Sequence, residues 1–98
     1  MNKIILVSGA TSGIGASCTK KFAAAGCRVI LCGRRSERLS EFKKNLVSQY
    51  GENFLTLSFD IRNRDEVFNA IQSLPDDWKA VDVLVNNAGL ALGLHPLQ

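Results

Sequence analysis

The stretch KIILVSGATSGIG, residues 3–15, decides how the rest of the chain is read. An apolar run from Lys3 to Ser8 reads as a strand and stops at a turn holding Gly9, Gly13 and Gly15. The spacing then predicts a helix from about Ile14 to Ala25, with Ile14, Cys18 and Phe22 recurring every fourth residue and Gly26 as its stop. A strand that feeds a glycine-rich turn and then a helix is where an open α/β sheet binds phosphate. Free backbone N–H groups and the positive end of the helix dipole meet the anion there. Gly9 allows the tight turn, Gly13 lets a pyrophosphate approach the backbone, and Gly15 lets the helix pack closely on the sheet. Three convenient glycines in a loop are the plain alternative, and the strand–turn–helix context weighs against it.

The same alternation continues along the chain. RVILCG is a second apolar strand, and Ser36 is placed to cap a second helix running to about Tyr50, with Leu39, Phe42, Leu46 and Val47 on one face. FLTLSF is a third strand. Asn63 and Glu66 form a capping box for a third helix that turns Val67, Ile71 and Leu74 inward and breaks at Pro75. VDVLVN is the fourth strand. Strands alternating with helices of this length predict an α/β fold with a parallel sheet. Right-handed crossovers put the first two helices on one face and the third on the other. The strand order is then 3-2-1-4, half of a doubly wound Rossmann-type sheet, with residues 1–98 as one nucleotide-binding domain.

The end of the second strand is the second anchor. An NAD site places an acidic residue there to accept from the ribose 2′-OH. Here the residues are Arg34 and Arg35, whose guanidinium forks suit a 2′-phosphate, so the expected cofactor is NADP(H). Solvated loop charges are the plain alternative for both arginines. Glu37 lies inside the helix start and reads as a first-turn charge. After the third strand, Asp60 has two readings: an acceptor for an adenine amino group with Ile61 packed on the ring, or an ordinary turn residue. After the fourth strand come Asn86 and Asn87, poor strand residues unless their amides hold something.

The remaining composition mostly excludes. With 98 residues, 46% hydrophobic and 21% charged, the chain is one globular domain at most, neither disordered nor membrane-spanning. Cys18, Cys27 and Cys32 lack CxxC spacing and read as reduced, mostly buried thiols, and the lone His95 adds no metal site. The net charge is +3, but the lysines are scattered and no aromatics interleave with the basic residues, which argues against nucleic acid. No targeting segment is evident, so the expected location is cytoplasmic.

Three motifs in register resemble the short-chain dehydrogenase/reductase family. They are Ser8-Gly9-Ala10-Thr11-Ser12-Gly13-Ile14-Gly15, then Asp60-Ile61, then Asn86-Asn87-Ala88-Gly89. Ser8 stands where the family has threonine and keeps the hydroxyl. The resemblance covers essentially the whole chain. It implies that Gly9 through Ile14 meet the cofactor phosphates and ribose, with Gly15 closing the motif. Arg34 and Arg35 match the NADP-preferring form, and Asp60 and Ile61 match the adenine contact. Asn87, Ala88 and Gly89 match the segment lining the ribose–nicotinamide side, while the neighbouring Asn86 amide braces adjacent strands. GRRSERL, DIRNRDEV, SLPDDW and LVNNAGLALG look more narrowly like NADP-dependent 3-hydroxy acid dehydrogenases, the branch that includes serine dehydrogenases.

The family's chemistry uses a Tyr-x-x-x-Lys pair, with a Ser and a further Asn, downstream of the cofactor half. The one tyrosine here, Tyr50, has Phe54 four residues on, so no residue is assigned a catalytic role. The chain thus looks like the N-terminal part of an oxidoreductase acting on a small alcohol or carbonyl. An NADP(H)-binding module without turnover and a self-assembling unit are the other classes. Ending at Gln98 leaves Val81 to Val85 as an apolar sheet edge, so a homo-oligomer, or pairing with the missing C-terminal portion, is expected.

Overall fold

In the computed structural model, which describes residues 3–86, the four apolar runs become four parallel strands. They are β1 (Ile4–Ser8), β2 (Arg28–Gly33), β3 (Phe54–Ser58) and β4 (Val83–Asn86). The sheet order is β3-β2-β1-β4, as the crossover rule requires. Ile5 pairs with Val29 on one side and Val83 on the other, and Val29 pairs with Phe54. β1 is buried throughout and β2 from Val29 to Cys32, which is why both read as unbroken apolar runs instead of alternating ones. β3 and β4 flank them with half-exposed residues.

The two faces of the sheet carry separate cores. Ile5, Val7, Val29 and Leu31 pack with Ala23 of α1 (Gly13–Ala24) and with Leu39 and Leu46 of α2 (Ser36–Tyr50). Ile4, Leu6, Ile30 and Cys32 pack on the opposite face with Phe59, Leu74 and Val67 of α3 (Arg64–Gln72). The expected placement of helices one and two against helix three therefore holds.

The apolar face of α1 is rotated from the expected one. Gly15, Thr19 and Ala23 face the sheet, Cys18 and Phe22 are half-buried, and Ile14 is 71% exposed. Small residues let the helix lie close to the strands, and Thr19 donates its hydroxyl to the Gly15 carbonyl at 2.8 Å, so it is buried without an orphan polar group. Large side chains mark a helix face from sequence, but close approach to a sheet selects small ones.

Three boundaries also shift. Ser36 is the first helical residue of α2 and not its cap; Arg35 holds the cap position without a side-chain bond. α3 stops at Gln72, and Leu74 is buried just beyond it. Val81 and Asp82 precede β4, where the Asp82 carboxylate accepts from the Ile4 N–H at 2.9 Å. The capping box forms with one change. Asn63 accepts from the Glu66 N–H at 3.1 Å, while Glu66 returns to the Asp60 N–H at 2.9 Å instead of the Asn63 N–H. Among the described residues no helix is long and apolar enough to cross a membrane.

Candidate functional site

Parallel strands end on one edge, and the carboxyl ends of β1, β2 and β3 open into a cleft of about 450 Å³. That volume lies within the usual range for small-molecule sites. The first wall is the turn after β1. Gly9 sits at φ 62°, a left-handed conformation where a Cβ would be strained. Its carbonyl accepts from the Ser12 N–H at 3.1 Å and from the Ser12 hydroxyl at 2.8 Å. Ser12 also caps α1 by accepting from the Gly15 N–H at 3.4 Å. The amides of Gly13 and Ile14 remain at the helix N-terminus without an acceptor among the described residues. A Cβ placed on Gly13 would meet nothing within 4 Å, so the approach to these amides is open.

The second wall is basic. Arg34, Arg35 and Arg38, all exposed, line the cleft where β2 passes into α2. None of the three has a carboxylate within 4 Å among the described residues. Ser58 fixes the turn by donating its hydroxyl to the Arg34 carbonyl at 3.2 Å. The third wall is Phe59, Asp60, Ile61 and Arg62. Asp60 is clamped by Arg62: Oδ1 accepts from the Arg62 N–H at 3.0 Å and from Nε at 3.2 Å, and Oδ2 accepts from Nη2 at 3.1 Å. These bonds, with a weaker contribution from the charge of Arg34, hold the Asp60 carboxyl below the usual carboxylate range. Cys32 lines the floor, and burial pushes its thiol far above the ordinary range, so it is neutral and inert.

Of the residues singled out from sequence, Gly9, Thr11, Ser12, Arg34, Arg35, Asp60 and Ile61 come together around this cleft. Ala10 does not line it; it is fully buried and gives its N–H to the Cys32 carbonyl at 3.1 Å. Gly13, Ile14 and Gly15 lie beside the cleft in the first turn of α1. Asn87, Ala88 and Gly89 lie outside the described residues. Asn86 does brace adjacent strands. Ser8 donates its hydroxyl to Asn86 Oδ1 at 3.1 Å and to the Val85 carbonyl at 3.4 Å, joining β1 to β4. Arg38 and Arg62 were not anticipated. Arg38 had a signal, since it sits in the first turn of α2, three residues after the Arg35 cap, and so stays at the same wall. Among the described residues no His, Cys, Asp or Glu cluster could hold a metal.

Comparison with known proteins places this geometry. The chain is 55% identical over 91 residues to a probable NADP-dependent dehydrogenase of Haemophilus influenzae, covering 93% of this chain and 34% of that protein. It is 50% identical over 93 residues to the NADP-dependent 3-hydroxy acid dehydrogenase YdfG of Salmonella typhi, covering 95% and 36% respectively. The chain thus spans about a third of the length of these relatives. Among solved structures, serine dehydrogenase from Escherichia coli superposes with a TM-score of 0.81 at 47% identity, over 91% of this chain and 39% of that one. A closed form of serine dehydrogenase complexed with NADP+ gives 0.77 at 46%, over 91% and 34%. The short chain dehydrogenase profile matches residues 3–98, so sequence, sheet order and cleft agree, and the chain belongs to the short chain dehydrogenase family.

Proposed function

We propose that this chain is the NADP(H)-binding portion of an oxidoreductase that moves hydride between NADP(H) and an alcohol or carbonyl, a 3-hydroxy acid in the complete enzyme. One observation carries the reading: three arginines without carboxylate partners among the described residues line a single cleft with the glycine turn. The Gly13 and Ile14 amides at the α1 N-terminus receive the pyrophosphate, as the open space over Gly13 permits. Arg34 and Arg35 hold the 2′-phosphate, and an acidic residue in their place would repel it. Ile61, half-buried in the third wall, packs on the adenine beside Asp60. Asn87, Ala88 and Gly89 line the nicotinamide side in this reading. The nicotinamide supplies the hydride chemistry, and these residues bind and orient it.

The domain assignment to residues 1–98, a cytoplasmic location and a homo-oligomeric state belong to the same proposal. Three free cysteines accord with a reducing compartment, and Val83, 37% exposed on edge strand β4, gives an apolar edge for association. Sedimentation velocity reads the oligomeric state. Calorimetric titration tests the central reading: NADPH binds and NADH binds at least tenfold more weakly. Equal affinity for both would overturn it.

A further inference from the structure

The Asp60–Arg62 pair stands on the cleft wall opposite three arginines, and its charge balance matters to them. A carboxylate in this cleft is an alternative partner for any guanidinium that would otherwise hold an anion. Asp60 is the one acidic residue among those lining the cleft, and Arg62 takes up both of its oxygens at 3.1 and 3.2 Å. Glu66, the nearest acidic neighbour on α3, is engaged by the Asp60 N–H at 2.9 Å and the Asn63 amide at 3.3 Å. The charge of Arg34 is felt at Asp60, which places the two within electrostatic reach. We infer that Arg62 is a positioning residue for phosphate selectivity: by occupying Asp60 it keeps that carboxylate from capturing Arg34 and leaves Arg34 for the 2′-phosphate. The inference rests on the proposed role of Arg34 and adds a residue that touches neither the phosphate nor the reacting atoms.

A two-step exchange tests it, read as the ratio of NADPH to NADH affinity by calorimetry. R62Q keeps the Asp60–backbone turn but removes the charged clamp on the carboxylate, and selectivity for NADPH is expected to fall about threefold, the scale of an exposed charge pair. Adding D60N to R62Q removes the competing charge and is expected to restore the ratio to that of the parent protein. A merely structural pair would weaken both nucleotides alike and show no rescue. If R62Q leaves the ratio unchanged, or if D60N fails to restore it, the inference is overturned and Arg62 is either irrelevant or a direct phosphate ligand. Circular dichroism on each variant confirms the fold. R62K, which can still pair with Asp60, must retain the parent ratio; loss there counts against the inference. A parent protein with no preference for NADPH instead overturns the proposed function itself.

Discussion

The two ends of the sheet use arginine in opposite ways. At the amino ends of the strands, Arg28 is fully engaged. Its guanidinium lies 4.1 Å from the centre of the Trp78 ring, donates to the Asp77 carbonyl at 2.9 Å and pairs with the Asp77 carboxylate at 3.6 Å. Trp78 and Asp77 belong to a short 3-10 turn, Asp76–Trp78, so this contact ties the connection before β4 to the start of β2. Asp82 adds a staple to the first residue of β1. At the carboxyl ends, Arg34, Arg35 and Arg38 face a cleft with no carboxylate in bonding range among the described residues. One end closes the fold, and the other presents its charge to an open cleft, where the proposed function puts the 2′-phosphate. Parallel strands make this asymmetry available, because every crossover returns to the same end and leaves the loops at the other free to build a site.

The largest expected effect breaks the cleft side alone. Replacing Arg34 and Arg35 together with alanine removes the two charge-assisted contacts proposed for the 2′-phosphate and is expected to weaken NADPH by about 100-fold. NADH affinity and the melting temperature should hardly change. A comparable loss for NADH would mean that the arginines steer anions in general.

Glycine sharpens the same contrast within a single turn. At Gly9 a Cβ is strained by φ 62°, so G9A should cost about 1–2 kcal/mol in chemical denaturation. At Gly13 there is open space, so G13A should leave stability unchanged or raise it by up to about 1 kcal/mol. It should nonetheless weaken NADPH, because the added methyl stands in the open space proposed for the pyrophosphate. Equal stability losses at both positions would show that both glycines serve only the turn.

The opposite end gives the complementary result. Arg28→Ala should lower unfolding free energy by about 1–2 kcal/mol, from one cation–π contact and one hydrogen bond. NADPH affinity should stay at the parent value. A change in nucleotide affinity would show the two ends to be coupled through β2.

How much of this was legible in the sequence follows from what each signal depends on. The strand order could be read because the strands announce themselves as continuous apolar runs, buried on both faces in β1 and β2, and right-handed crossovers then fix their order. The face of α1 could be read only at Gly15, expected to pack on the sheet; Thr19 and Ala23 carry no hydrophobic period, and it is their small size that seats them there. That Arg34 and Arg35 line the cleft was legible from their place after β2. Ser8 and Asn86 were both singled out, one for keeping a hydroxyl and one for an amide in need of a partner. The structure shows them to be each other's partner across β1 and β4. The clamp of Arg62 on Asp60 was not legible, since residues two apart in a loop meet only when the backbone turns. That turn depends on Glu66 holding the Asp60 N–H from the next helix.

The smallest expected effect concerns that clamp and isolates its electrostatics. Arg62 holds the folded Asp60 pKa below its unfolded value, so its contribution to stability is present above the unfolded carboxylate range, near pH 4. It is lost as pH falls through the depressed folded value. Urea midpoints of the parent protein and D60N should therefore differ most at neutral pH and converge toward pH 3. Arg62 is exposed and Asp60 partly so, and 1 M salt should therefore shrink the difference at pH 7. A gap between parent and variant that stays constant from pH 7 to pH 3 would assign the value of Asp60 to its turn geometry. The clamp would then join Arg28 as architecture and leave the arginines of the cleft as the sole electrostatic investment at that end.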